Sequence, residues 1–489
     1  MSIRKLANET LIYGLSSILG RFVNFLLVPL YTWVLLDSEF GDIAYFYALI
    51  GFLKVFFTLQ LDTAFFRFGK DPNERPAAYA AILRPVCFYI LSLGAILYLA
   101  SPWLADWTGY PTYGADFQII AVILVLDAFT EFPMARLRLE QRPIRFATIR
   151  LIGIANIIVA NVLLLWLLPK FFSETETPWL YPESRLTLVL LANLLGSAVT
   201  FTLVAGDIRF LFRKEASMSF KPILQYAGPL IFVSLAGVVN EMLDRQLLRY
   251  FLPGSFDEVR AQIGIYSANY RLAMIIALFT QAFRYAAEPF FFRHADQKDA
   301  PVMYARVTRY YTLAASAGLL AILLFKDWLK FFIGREGSSY HEGLGILPIL
   351  LCANLLLGLY YNFSVWYKLT DKTFAGAWIA AGGAFITILG NILMIPLYGY
   401  FASAWVTLIC YAFMVWASLI WGQRHYPIPY PLMRMAGYFG SAILLAIGFD
   451  FFLDQTNTFI KIAVASLCLL GYALFWYHFE KQTIREYGT

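Results

Sequence analysis

The chain has 489 residues, of which 60% are hydrophobic and only 14% charged, and its mean hydropathy is +0.64. A soluble domain carries about 25% charged residues, so this composition excludes a water-exposed globular surface and points to an outer face made of lipid. The formal charge of +6 would suggest nucleic acid for a soluble chain, but in a membrane protein its distribution matters more than its sum, and no nucleic-acid partner is expected.

Arg4 and Lys5 precede an apolar run over 11–36. That run is too long for a signal-peptide core and is interrupted by Arg21, so it reads as a first permanent span. Further segments of span length lie at 41–66, 78–101, 117–136, 147–169, 186–208, 222–249, 262–292, 303–325, 344–367, 374–396, 400–422, 434–453 and 457–478. With the first span at 9–34 this makes an all-α polytopic membrane protein of about fourteen transmembrane helices. Helix is the state that satisfies the backbone in lipid, and the short alternating strands of a barrel are absent from the sequence pattern. Every predicted loop is short, which leaves no room for a soluble domain.

Charge orients these spans. With the N-terminus in the cytoplasm, 24 of the 38 Lys and Arg residues fall in cytoplasmic segments and 8 in outer ones. The bias does not reverse along the chain, as a missed span would make it do. Both termini are therefore expected in the cytoplasm.

The chain also repeats itself. Gln225-Tyr226-Ala227-Gly228 echoes Ile12-Tyr13-Gly14, and Pro289-Phe290-Phe291-Phe292-Arg293 echoes Ala64-Phe65-Phe66-Arg67-Phe68. Asn391-Ile392-Leu393-Met394 echoes Asn161-Val162-Leu163-Leu164. The offset is about six spans, an even number, so the repeats run parallel. The expected organisation is two six-helix lobes, 1–215 and 216–425, joined by a polar hinge at 207–221, with two additional C-terminal spans in 426–489.

Six basic residues remain inside spans: Arg21, Lys54, Arg84, Arg245, Arg271 and Arg284. Charges at such depth are costly and face a cavity or a partner. All but Arg84 fall on spans one, two, seven and eight. Arg21 shares a helix face with Asn24. Lys54, Thr58 and Asp62 form a stripe at successive turns, and Glu241 precedes Arg245 at the favourable i, i+4 spacing. Asp244 lies on the same span, and Glu288 follows Arg284. Asp127 and Glu131 are like charges one turn apart, which repel unless one is protonated or paired. A proton or Na⁺ site is one reading of them; pairing with Arg136 or another helix is the other. For the basic residues the two readings are a cavity for an anionic headgroup, which Arg geometry suits, and internal salt bridges with the acids just named.

Catalytic signals are thin. Cys87, Cys352, Cys410 and Cys468 sit in apolar stretches, and the four His have no metal-ligand spacing, so neither metal nor disulfide framework is expected. There is no phosphate loop or nucleophile arrangement. Asp37, Glu39 and Asp42, at the first outer loop, are suited to capping the second helix.

The segments Tyr13-Gly14-Leu15-Ser16-Ser17, Leu36-Asp37-Ser38-Glu39-Phe40-Gly41-Asp42 and Leu61-Asp62-Thr63-Ala64-Phe65-Phe66-Arg67-Phe68 resemble those of bacterial polysaccharide-biosynthesis flippases. These are O-antigen-type translocases of lipid-linked oligosaccharides, in the multidrug/oligosaccharidyl-lipid/polysaccharide exporter superfamily. By span count, repeat and loop pattern the resemblance covers nearly the whole chain. It implies a V-shaped cavity lined by spans one, two, seven and eight, alternating access, and a buried Arg in the first span, matched at Arg21. The implied function is translocation of an undecaprenyl-diphosphate-linked glycan across the bacterial inner membrane, for lipopolysaccharide or another surface polysaccharide. Arg21, Lys54, Arg271, Arg284, Arg245 and Asn24 would bind its pyrophosphate. Asp62, Asp127, Glu131, Glu241, Asp244 and Glu288 would serve ion coupling to Na⁺ or H⁺, with no other cofactor. Membrane lipids and a polysaccharide polymerase are the implied partners. An ion-coupled exporter of small molecules and a membrane glycosyltransferase or polymerase stand as alternatives.

Overall fold

The computed structural model describes residues 20, 22, 25–182, 184–207, 218–370, 372–453 and 456–487. After the apolar run α1 (Phe25–Val34) the long elements are α2 (Asp37–Thr58), α3 (Leu61–Phe68), α4 (Arg75–Leu99), α5 (Gly114–Leu139), α6 (Pro143–Val162), α7 (Arg185–Val204), α8 (Phe220–Phe251) and α9 (Phe256–Arg293). They continue with α10 (Ala300–Leu324), α11 (Leu347–Phe363), α12 (Thr373–Tyr398), α13 (Tyr400–His425), α14 (Leu432–Leu453) and α15 (Thr458–Tyr487). Among the described residues, thirteen helical segments are long and apolar enough to cross a membrane. With α1 standing where the first span was expected, this agrees with a polytopic chain of about fourteen spans.

Local chemistry sets the ends of these helices. Glu39 accepts the Leu36 N–H at 2.9 Å and Asp37 the Ser38 N–H at 2.8 Å, so two of the three loop acids cap α2 as read from sequence. Ser184 caps α7 by accepting the Leu186 N–H at 3.2 Å. Pro76 and Pro143 sit in the first turns of α4 and α6, where their missing N–H costs nothing.

One break was not foreseen. The second span is interrupted between α2 and α3 by two consecutive left-handed residues, Leu59 (φ 49°) and Gln60 (φ 54°). Neither is a glycine, so the conformation is held against its own preference by its surroundings. Gln60 Nε2 donates to Ser234 Oγ of α8 at 3.0 Å, which anchors the break. The Lys54–Thr58–Asp62 stripe is therefore cut after Thr58.

The contacts divide the chain into two compact units, residues 1–267 with 387–400, and 268–386 with 401–489. In the first, α5 packs on α4 and α7, α6 on α7, and α2 along α8. Gly153 of α6 and Gly196 of α7 face each other's helix closely enough that a Cβ on either would meet a neighbouring side chain. Small residues allow this approach in lipid. Tyr31 donates to Asn161 at 3.0 Å and Asn193 to Tyr47 at 2.6 Å, polar links inside an apolar core. In the second unit, α10 packs against α11, α14 and α15. Arg309 of α10 meets the buried Glu480 of α15 at 3.0 Å, and Tyr438 also donates to that carboxylate.

Candidate functional site

In the first unit the buried charges meet around α2 and α5. Lys54 is half-buried, as are Asp127 and Glu131. The ammonium of Lys54 lies in the field of Glu131 first and Asp127 next, with Asp62 weaker and Arg150 opposing. Ser197 of α7 donates to Asp127 at 2.7 Å. Lys54 is the cation that another helix brings into the field of this acid pair. Arg136 is engaged elsewhere, with Glu140 at 2.5 Å and Asp207 at 3.9 Å. Asp62 stands on the far side of the break, within 3.8 Å of Arg138. One lysine thus serves two carboxylates, so the group holds a net negative charge when all three are ionised.

Lys54→Gln should lower stability by about 2–3 kcal/mol, less than the loss for a fully buried pair because the site is only partly buried. Adding Asp127→Asn should recover part of it. Thermal unfolding of the three variants in detergent checks this, and an unchanged midpoint for Lys54→Gln would show that the charges do not depend on one another.

On α8, Arg245 is paired with Asp244, with Nη1 at 2.9 Å from Oδ1. Glu241 accepts from the same nitrogen through its main-chain oxygen at 2.9 Å, and its side chain is exposed. Tyr266 of α9 donates to Asp244 at 2.5 Å. Arg245 and Asp244 are therefore tied into a helix–helix contact. Asn240 beside them accepts from Thr387 at 3.3 Å.

In the second unit, Arg271 is half-buried and reaches Met274 Sδ at 3.7 Å. About two and a half turns further along α9 a cleft opens, lined by Thr280, Arg284, Glu288, Gly358, Tyr361 and Lys368. Glu288, the acid nearest Arg284 in sequence, is taken by Lys368 of the short helix Val365–Leu369. Arg284 lies instead over the ring of Tyr361, 4.8 Å from its centroid. Its Nε is buried without a hydrogen-bond partner among the described residues. Such a group costs free energy unless an acceptor arrives. Arg21 and Asn24 lie outside the described residues.

The strongest ion pair of the first unit escaped the sequence reading. Asp42, fully buried near the start of α2, receives Arg260 of α9 through two nitrogens, Nε at 2.7 Å from Oδ1 and Nη2 on Oδ2. Tyr113 donates to the same carboxylate at 2.9 Å, and Arg260 also meets Asp257 at 2.7 Å. Beside the pair, a Cβ on Gly41 would run into the Arg260 carbonyl oxygen, and one on Gly264 into the Asp37 carbonyl oxygen. The available signal was this juxtaposition: a glycine next to Asp42 and another one turn after Arg260. Tyr110 packs nearby, 5.3 Å from Tyr45 and 5.2 Å from Phe46 between ring centroids. Burial, and then the Asp42 charge, push its phenol well above the ordinary range, so it stays neutral.

These features define a multi-pass helical membrane protein with charged residues held inside its spans. Its fold is that of known flippases and exporters. It is similar to the lipid II flippase MurJ in an inward closed conformation, with a TM-score of 0.71 and 13% identity over 96% of this chain and 99% of that one. It is also similar to an inward-facing multidrug resistance MATE family transporter of the MOP superfamily, with a TM-score of 0.60 and 13% identity over 88% and 95% of the two chains. The chain belongs to the polysaccharide biosynthesis protein family, whose profile matches residues 6–294. Among curated proteins it is 23% identical to an uncharacterized membrane protein of Haemophilus influenzae, over 72% of this chain and 81% of that protein. It is 20% identical to the Lsg locus putative protein 1 of the same organism, over 73% and 85%.

Proposed function

We propose that the protein is a flippase that moves an undecaprenyl-diphosphate-linked oligosaccharide from the cytoplasmic to the periplasmic leaflet of a bacterial inner membrane. Lobes 1–215 and 216–425 would alternate access, with both termini in the cytoplasm. The observation that carries this reading is Arg284, a half-buried guanidinium whose neighbouring acid is occupied by Lys368 and whose Nε lacks a partner among the described residues. A phosphate oxygen is the ligand that fits such a fork. Family membership supports a role in surface polysaccharide assembly. Arg271, on the same helix, extends the proposed path for the headgroup, and a polysaccharide polymerase would receive the product. Arg245 stands apart, since Asp244 already holds it.

Ion coupling is assigned to Asp127 and Glu131. Two carboxylates around one lysine leave room for one proton or one Na⁺, and the likeness to multidrug exporters keeps a small-molecule substrate as the competing reading. In proteoliposomes carrying a lipid-linked oligosaccharide, Arg284→Ala should slow flipping at least about ten-fold, which is about 1.4 kcal/mol, while Arg284→Lys retains part of the rate. Full-rate flipping by Arg284→Ala would remove this residue from the path.

In this orientation Asp42 and Arg260 lie at the periplasmic end of their helices. The pair would then be part of the outer closure, made in one access state and released in the other.

A further inference from the structure

A second basic site lies in the first unit, at the helix ends opposite Asp42. The turn before α4 and the turn joining α5 to α6 enclose a cavity of about 290 Å³, lined by Arg75, Tyr79, Arg136, Glu140 and Arg142 with Pro72 and Pro76. At about 30 Å³ per water, it has room for a headgroup. Its polar wall is built by the chain's geometry. Gln141 takes a left-handed φ of 56°, and the Arg142 N–H closes the turn on the Leu137 carbonyl at 2.9 Å, as at a helix C-terminus. That turn brings Glu140 and Arg142 to the same cavity. Pro143 then starts α6.

The carboxylate of Glu140 is shared, with Arg136 at 2.5 Å on one oxygen and Arg142 at 3.3 Å on the other. Arg136 lies over the Tyr79 ring at 5.4 Å. Arg75 is fixed by a bond from Nε to the Gly69 carbonyl at 3.0 Å, which uses one of its five donors. Asp207, behind the wall, is matched by Arg145 at 3.2 Å as well as by Arg136. Asp71 and Glu74 sit on the exposed turn. Three guanidiniums therefore face one carboxylate across the cavity, and the acid behind them brings its own arginine. The excess is two positive charges, the complement of a diphosphate diester. Guanidiniums held by a shared carboxylate are pre-positioned for two-pronged bonds to phosphate oxygens.

We infer that this pocket is a loading station that binds the diphosphate of a lipid-borne substrate at the cytoplasmic face before it enters the transport path. The placement at span ends favours a lipid-borne diphosphate over a soluble one. The direction of loading rests on the flippase reading above, whereas the site itself rests on its charge and cavity.

The test is photo-cross-linking of the full-length protein in phosphatidylcholine nanodiscs with farnesyl diphosphate carrying a photoreactive group on its first isoprene unit. Adducts should map to 69–79 or 136–146. They should fall at least ten-fold in Arg75→Gln/Arg142→Gln and less in Arg75→Gln alone, with unfolding midpoints close to the parent's. Unlabelled farnesyl diphosphate should compete. Adducts absent from these segments, or undiminished in the folded double variant, would overturn the proposal. So would equal competition by phosphatidylglycerol, which marks a general anionic-lipid patch, or by inorganic pyrophosphate, which marks a soluble ligand. Cross-linking needs no translocation. Loss of flipping in Arg284→Ala without adducts here removes the station and leaves the flippase; adducts here in a protein that does not flip do the reverse.

Discussion

Asp42→Ala should destabilise the contact between α2 and α9 by about 3–5 kcal/mol, the cost of removing one member of a buried ion pair. The carboxylate side chain is 1% exposed and the Arg260 side chain 14%. Loss of the acid leaves a mostly buried guanidinium paired with the exposed Asp257, and Tyr113 loses its acceptor as well. Arg260→Ala should cost a similar amount for the mirror reason. The combination Asp42→Ala/Arg260→Ala should then cost much less than the sum of the two, because no uncompensated charge remains. A double-mutant cycle from denaturation in detergent should show coupling above about 2 kcal/mol. Additive losses would mean that Asp257 alone is enough to hold Arg260, and that the Asp42 pair is incidental.

Gly264→Leu should be at least as damaging, at about 3 kcal/mol or more, since overpacking here displaces backbone and not a flexible side chain. The new Cβ would collide with the Asp37 carbonyl oxygen, and the reciprocal position, Gly41, meets the Arg260 carbonyl oxygen in the same way. Even Gly264→Ala should lower the unfolding midpoint. Gly237, on α8 with nothing within 4 Å of its would-be Cβ, is the matched control. There Ala should stabilise by about 0.5–1 kcal/mol through helix propensity. If Gly264→Ala behaves like Gly237→Ala, the helices do not pack this closely. Under the proposed function, both changes at Gly264 should also favour the state in which this end is open, visible as greater labelling of cysteines placed near Tyr113.

Composition carries the membrane class and the succession of apolar segments the approximate number of spans, because burying apolar length in lipid leaves few other solutions. Local spacing carries part of the charge chemistry. Asp127 and Glu131 are recognisable as a pair that needs a cation, but which helix supplies it depends on packing, and Lys54 was read as belonging to a stripe with Asp62. That stripe fails because Leu59 and Gln60 adopt left-handed backbone, a state that neither residue advertises. At Arg245 the i, i+4 rule proposed Glu241. Asp244, one position away, makes the ion pair, its carboxylate buried and also bound by Tyr266, while the Glu241 side chain is exposed. Glu288 shows the same limit: its partner, Lys368, is 80 positions away. Asp42 and Arg260 are 218 positions apart, and neither looked unusual in its own segment. Arg260 read as an outer-loop charge and Asp42 as a cap.

The most direct measurement is leaflet-specific labelling of lipid-linked oligosaccharides in cells depleted of this protein and in cells restored with it. The account predicts that one such lipid collects in the cytoplasmic leaflet on depletion, and that restoration with the parent, but not with Arg284→Ala, returns it to the periplasmic leaflet. An unchanged leaflet distribution of every lipid-linked glycan, with export of a small cationic molecule lost instead, would contradict it.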